Sequence, residues 1–398
     1  MSWGKVTLGN ISSIIQTGPF GSQLHQSDYS EEGTPVVMPK DLVNGHISEA
    51  SIARVSEDHV NRLSRHKIEV GDILYSRRGD VGRCAFATEL EQGWLCGTGC
   101  LRVTIDKSKA IPKFVFYQLQ KAETVGWVEK HAVGATMLNL NTSILSSVPI
   151  DMPSLAEQQT VVDILSAYDD LIENNQKQIK LLEEAAQRLY KEWFVDLRFP
   201  GHENITITDG IPEGWTVQSM NDIAEYINGY AFKPTDWGTV GKPIIKIKEM
   251  GSGVTTDTPR NTGEGIPEKY NVTAGDILFS WSATLSAMIW DEEDGLLNQH
   301  LFKVIPGEGI SREFVFQSIL KTLDEFSNLT TGSTMKHIQR GKLKEVKVNV
   351  PPTELMEQYR NISKPIRERI LNVKQQTILL REARDRLLPK LMSGEIEV

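Results

Sequence analysis

A run of apolar residues spaced alternately by three and four, from Leu155 to Phe194, is the feature that most narrows what this chain can become. Leu165, Tyr168, Ile172, Asn175, Ile179, Leu182, Ala186, Leu189 and Trp193 fall on one face of a helix, the a/d seam of a helix packed lengthwise on another. Adding 198 to all but the first of these gives Ile366, Ile370, Val373, Thr377, Leu380, Arg384, Leu387 and Leu391. The seam therefore occurs twice, half a chain apart. We expect the two helices to pair as an antiparallel coiled coil holding two related domains at a fixed separation. Leu165, Tyr168, Ile172, Ile179, Leu182 and Leu189 would pair with Ile366, Ile370, Val373, Leu380 and Leu387. Charge favours this over two independently solvated helices, since 160–194 carries a balance of −3 and 360–390 one of +6. Asn175, Thr377 and Arg384 are the polar seam positions expected to fix register.

The rest of the chain repeats as well. The opening at Trp3 returns at Trp215, and Thr17-Gly18-Pro19-Phe20 is answered by Asn228-Gly229-Tyr230-Ala231-Phe232. Gly71-Asp72-Ile73-Leu74 returns at Gly275, Phe114-Val115-Phe116 at Phe314, Gly134-Ala-Thr-Met137 at Gly332, and Glu157-Gln158 at Glu357. Matched blocks keep their order and lie about 200 residues apart, which is the mark of an internal duplication. Asp72–Ser76, Leu101–Ile105 and Val346–Val350 read as strands, and Lys113–Lys121 and Arg312–Leu323 as short helices. The expected fold class is α+β. The expected domains are a first globular domain over 1–152, a first long helix over 153–197 and a linker over 198–214. A second globular domain over 215–350 is followed by a second long helix and tail over 351–398. Ser154 and Glu157 form a capping box for the first helix. Pro365 predicts a kink in the second helix, or a restart capped by Ser363.

At 398 residues the chain has room for two or three domains, and its composition is that of a globular protein. No charged leader followed by an apolar stretch opens it and no run reaches membrane-spanning length, so a cytoplasmic location is expected. Cys84, Cys96 and Cys100 lack the spacing of a zinc site and read as reduced, buried thiols. The net charge of −9 argues against a nucleic-acid binder when taken whole, but binding depends on where charge lies. The stretch 331–348 carries +4 and 54–83 carries +2, which leaves room for a local basic face.

The sequence contains no phosphate-cradling Gly-Lys-Ser/Thr loop, dinucleotide turn, metalloprotease helix or nucleophile elbow. Asn349-Val350-Pro351-Pro352 superficially resembles an aminomethyltransferase motif, but Val350 interrupts it and its aromatic is missing. What remain are polar loops at corresponding places in both halves. Arg77, Arg78 and Arg83 follow a strand, where a guanidinium can grip phosphate or read guanine; the plainer reading pairs Arg77 and Arg78 with Asp72 and Asp80. Thr136, Asn139 and Asn141 in the first half, and Thr334, Lys336, His337 and Gln339 in the second, offer hydroxyls, amides and cations. Lys40, Lys246, Lys248, Ser280 and Ser282 complete the DNA-contact candidates. Trp281, which stands in the second half where Arg77 stands in the first, reads equally well as core.

These motifs, in this order and duplicated, resemble the specificity subunit of type I restriction–modification enzymes over essentially the whole chain. The Trp3 and Trp215 openings, Gly-Asp-Ile-Leu in both halves, and Gly-x-Thr-Met ahead of the Glu-Gln pair carry the resemblance. So do the exit at Phe194-Val-Asp-Leu-Arg-Phe-Pro-Gly201 and Leu296-Leu-Asn-Gln-His-Leu-Phe302. It implies two target-recognition domains reading the halves of a split DNA sequence through the major groove, with the paired helices as a ruler. It further implies two methyltransferase subunits, which bind S-adenosylmethionine and flip the target adenine, and two ATP- and Mg-dependent restriction/translocase subunits. No cofactor, metal or catalytic residue is expected on this chain. The competing reading is a coiled-coil adaptor joining two protein-binding domains without DNA recognition.

Overall fold

Gly-Asp-Ile-Leu, present twice in the sequence, opens an inner strand in each of two matching sheets. In this computed structural model, which describes residues 3–134, 137–282, 284–328 and 340–397, Gly71 and Gly275 adopt φ of +91° and +95°, where a side chain would be strained. The following aspartate closes the turn: Asp72 accepts from the Glu69 amide at 2.8 Å and Asp276 from the Thr273 amide at 2.9 Å. The motif is thus a strand-entry device.

The chain divides into two compact units, Met1–Ile172 with Leu379–Val398, and Glu173–Ile378. In the first, an antiparallel sheet runs in the order Ser12–Thr17, Cys100–Ile105, Ile73–Ser76 and Cys84–Phe86. In the second, the same order is held by Ala224–Asn228, Leu301–Pro306, Ile277–Ser280 and Ser286–Ile289. A second sheet in each unit contains one parallel pair, Thr34–Val37 with Leu95–Cys96 and Lys242–Ile245 with Gly295–Leu297. Gly4–Thr7 pairs with Pro149–Met152, and Thr216–Ser219 with Lys347–Val350, so each globular part closes on itself just before a long helix leaves it. The duplication read in the sequence is a duplication of topology, on an α+β plan.

The first long helix spans Leu155–Tyr190 and runs on into a wider turn over Lys191–Val195. Its capping box is present, Ser154 N–H donating to Glu157 Oε2 (2.9 Å) and Glu157 N–H to Ser154 Oγ (3.3 Å). The second long helix spans Thr353–Ser393 without interruption. The restart expected at Pro365 does not occur. Pro365 and Asn361, whose carbonyl the proline leaves without its helical donor, both lie on the exposed face, where water can serve that carbonyl; Ser363 is buried inside the helix instead of capping it.

Both units contain segments of both helices, and in each the two run antiparallel. In the first unit Val161, Val162 and Leu165 share a core with Leu388, Leu391 and Met392, and Arg384 Nη1 lies 2.9 Å from Asp169 Oδ1. In the second, Arg369 donates to Gln178 (3.0 Å), Lys374 faces Glu183 (4.0 Å), and Trp193 meets Tyr359 at 5.9 Å between ring centroids. Ile172 and Val373 are buried, while Tyr168, Ile179, Leu182, Leu189, Ile366, Ile370, Leu380 and Leu387 are half-buried. Of the polar seam positions, Arg384 makes a cross-helix ion pair, whereas Thr377 turns its hydroxyl back onto the Val373 carbonyl (2.8 Å).

Each unit has its own aromatic core. In the second, Phe194 packs on Phe314, Tyr359 and Trp215 at 4.9, 4.8 and 5.9 Å, and Phe199 on Trp215 at 5.0 Å. The Phe-x-x-x-x-Phe exit from the first helix is therefore a packing motif, each ring contributing about 1.5–3 kcal/mol by burial. In the first, Arg102 and Asp72 form a buried ion pair (3.4 Å), and His66 lies buried beside Arg65. Burial, reinforced by Arg65 and Arg102, lowers the His66 pKa to about 4. Because the unfolded imidazole titrates near 6.5, the neutral native form carries no penalty above that pH and a growing one as pH falls towards 4. Urea unfolding at pH 5 should show the first unit about 2 kcal/mol less stable than at pH 7.5 through this group, and His66→Gln should flatten that dependence. An unchanged slope in the variant would refute the assignment.

Candidate nucleic-acid interface

At one end of the first unit's four-stranded sheet, three loops are tied together by backbone hydrogen bonds. Gly18 N–H donates to Cys100 O (2.9 Å), Arg77 N–H to Gly99 O (2.8 Å), Gly79 N–H to Leu138 O (3.1 Å) and Leu140 N–H to Arg77 O (2.8 Å). Glycine is required at position 18, because a Cβ there would strike the Gly97 carbonyl. Among the described residues the second unit repeats two of these ties: Gly229 N–H donates to Leu301 O (3.0 Å), Trp281 N–H to His300 O (3.5 Å), and a Cβ at 229 would strike the Asn298 carbonyl. Arg77 and Trp281 are thus equivalent, as are Gly99 and His300, Thr98 and Gln299, and Thr17 and Asn228.

The side chains carried on this common frame differ. Arg77 lies with its guanidinium 5.4 Å from the centre of the Phe20 ring, and Phe20 is half exposed. Asp72 is taken by Arg102 and Asp80 by Arg83 (2.8 Å), so neither carboxylate is the ion-pair partner of Arg77 or Arg78. The Nε of Arg77 is buried with no hydrogen-bond partner among the described residues, as is the Oδ1 of Asn139. Arg78 is exposed and bridges through its backbone to Asn139. Arg77 and Arg78 therefore present cationic charge at the sheet edge, while Arg83 is locally neutralised. Asn141 uses its Oδ1 to cap the helix Thr142–Ser146, accepting from Ile144 N–H at 2.8 Å. Lys40 binds the Ser51 carbonyl (2.7 Å) beside Pro39, which packs against Gly99.

In the second unit Trp281 donates its indole N–H to Asn228 (3.1 Å), and its ring lies 5.8 Å from that of His300. Gln299 and Ser282 each reach a nitrogen of His300 at 3.3 Å. Lys246 sits 5.1 Å above the Trp237 ring, and Lys248 is exposed. Two candidates need correction: Ser280 is fully buried with its hydroxyl donating to the Ser282 and Thr284 carbonyls, and Ser282 is 3% exposed. They shape the loop and are not available as contacts. Thr136, Thr334, Lys336, His337 and Gln339 lie outside the described residues. Sequence reading did not name Phe20, Asn228, Gln299 or His300 as contact candidates; the pairing of Gly18 with Gly229 was the signal that could have located them.

A family model described as the type I restriction modification DNA specificity domain matches residues 2–184 and again residues 212–377. The chain belongs to that family. Similar proteins include the MjaIX specificity subunit of Methanocaldococcus jannaschii, 26% identical over 389 residues and covering 92% of this chain and 87% of that one. The HindI specificity subunit of Haemophilus influenzae is 23% identical and matched over 99% of both chains. The crystal structure of a type I restriction–modification S subunit from M. genitalium shares the fold, with a TM-score of 0.59 at 16% identity over 98% of this chain and 96% of that one. DNA sequence specificity in a type I restriction–modification system is therefore the role of this chain, with its two matched domains as the recognition domains. For such a domain, backbone ties shared between the halves with different side chains carried on them are what two readers of different sequences require.

Proposed function

We propose that this chain is the non-catalytic reader of a bipartite DNA target, each unit contacting one half-site with the loop edge described above. The observation carrying this is the pair of corresponding loop edges, Phe20–Arg77–Arg78 in one unit and Asn228–Trp281–His300 in the other, which share the backbone ties of Gly18 and Arg77 with those of Gly229 and Trp281. Arg77 and Arg78 suit guanine or phosphate through a planar fork, and Asn228, Gln299 and His300 suit base edges through amide and imidazole groups. Globular domains over 1–152 and 215–350 do the reading, and the helices beyond them supply spacing and docking for two methyltransferase and two restriction/translocase subunits in the cytoplasm. S-adenosylmethionine, ATP and Mg belong to those partners in this reading.

Footprinting of the chain with its methyltransferase partner tests it. Two protected half-sites with an unread spacer are expected, and binding should weaken steeply as salt rises. A single continuous footprint would remove the proposal, and no footprint at all would remove it and favour the adaptor reading. Inserting one heptad into each long helix, near Ile172 and near Ile378, adds about 10 Å of helix, on the order of three base pairs of DNA. Methylation mapping should then show a changed spacer and unchanged half-site letters.

A further inference from the structure

The two units solve one packing problem with opposite charges. Lys113 and Glu313 occupy the same place, immediately before Phe114-Val115-Phe116 and Phe314-Val315-Phe316. Asp169 and Arg367 also correspond, 198 residues apart in the helix register in which Val161 and Tyr359, and Leu165 and Ser363, are buried in step. In the first unit Lys113 Nζ stands 3.8 Å from Asp169 Oδ2; in the second Glu313 Oε1 stands 2.6 Å from Arg367 Nε. The polarity is reversed. Each helix segment also pairs with the other long helix, through Asp169 with Arg384 (2.9 Å) and Glu183 with Lys374 (4.0 Å), the latter lysine also meeting Asp291 at 2.6 Å.

The 198-residue register shows what a different partner would bring. Were the second half of the chain to meet a second copy of itself, Arg367 would take the place of Asp169 opposite Arg384, and Arg381 the place of Glu183 opposite Lys374. Both contacts become like-charged. Were the first half to meet its own copy, Ala186 would replace Arg384 and Gln176 would replace Lys374, leaving Glu183 without its cation across the seam and Asp169 with Lys113 alone. Only the pairing of unlike halves satisfies both positions. We propose that these charges make each half of the chain select the other half over a second copy of itself, so that one subunit carries two different readers. The surface is the charged rim of the helix seam, and its partner is the oppositely charged helix of the same sequence.

The test uses the full chain with a protease site placed in the exposed turn at Asp209–Gly210, cut after purification, then unfolded in urea and refolded at low salt. Native mass spectrometry should find the one-to-one pair of unlike halves and little of either like pair. The double variant Glu313→Arg/Arg367→Glu preserves the ion pair inside the second unit with its polarity reversed, and sets a carboxylate at 367 to face Arg384 in a like pair. It should shift the ratio towards second-half homodimers by about tenfold. A melting curve of the uncut variant checks that it folds. Where it does not, the cut parent protein decides alone: its preference for unlike halves should weaken as salt is raised from 50 mM to 1 M. A statistical mixture of like and unlike pairs from the parent at low salt would overturn the proposal. So would an unlike preference indifferent to salt, or an unchanged ratio in a folded variant.

Discussion

Arg77→Ala, introduced into the chain assembled with its methyltransferase partner, is expected to weaken binding to the target DNA by about 10- to 100-fold, the scale of one bidentate guanidinium contact. The loss should fall on one half-site, with protection of the other retained when binding is driven by concentration. Arg77 is singled out because both neighbouring carboxylates are committed elsewhere, its Nε has no hydrogen-bond partner among the described residues, and its guanidinium lies close to the Phe20 ring. Holding the fork near an aromatic ring limits its rotamers before DNA arrives, so less freedom is lost on binding. Arg77→Lys keeps the charge and loses the planar fork, and should restore little if the contact is to a base. If the contact is to phosphate, lysine should restore most of the affinity, and alanine should weaken all sequences alike with a salt slope lower by about one. Wild-type affinity and an unchanged methylation pattern in Arg77→Ala would remove this residue from the interface.

The sequence made the duplication and both long helices legible, because helical periodicity and a capping box are local rules, whereas the strand-entry role of Gly71 and Gly275 came only with the fold. It was less informative wherever a residue's role depends on a neighbour distant in the chain. Ser280 looked available because it lies in a polar loop, yet the turn to Thr284 wraps its hydroxyl inward. Asp72 looked like a partner for Arg77 until the adjacent strand brought Arg102 to it. His300 was read only as part of the Leu296–Phe302 family motif and not as a contact candidate; the strand register sets it across from Trp281. The repeat itself concealed the charge reversal, because Lys113 and Glu313 are 200 residues apart whereas the helix register is 198. Matching Glu157-Gln158 to Glu357-Gln358 follows the first spacing, but burial pairs Gln158 with Met356 and so follows the second. Pro365 shows the converse: the restart that a local rule allows is not taken, because the face that carries the proline is solvated.

Asp169→Ala should be the most destabilising change among the polar contacts of the first unit's helix pair, at about 2–3 kcal/mol. Asp169 is 12% exposed and accepts from the Tyr117 hydroxyl at 2.6 Å and from Arg384 at 2.9 Å, with Lys113 at 3.8 Å. Burial, with Asp169 as its acceptor, pushes the Tyr117 pKa far up, so the phenol stays a donor throughout the accessible pH range. Deleting the carboxylate leaves two cations and a hydroxyl facing one another with their shared acceptor gone. Removing one member of a fully buried pair costs about 3–5 kcal/mol, and the partial exposure of Lys113 and Arg384 lowers the figure here. Tyr117→Phe, which removes one donor and leaves the acceptor with two others, should cost only about 1 kcal/mol. Arg384→Ala should fall between the two, since Lys113 and Tyr117 still serve Asp169. Urea unfolding gives the ordering, and hydrogen exchange should place the loss in residues 155–172 and 379–393, with the second unit's amides unchanged. If Asp169→Ala proved no worse than Tyr117→Phe, the ion pairs would be surface contacts of negligible weight, and the hydrophobic seam alone would be holding the helices in register.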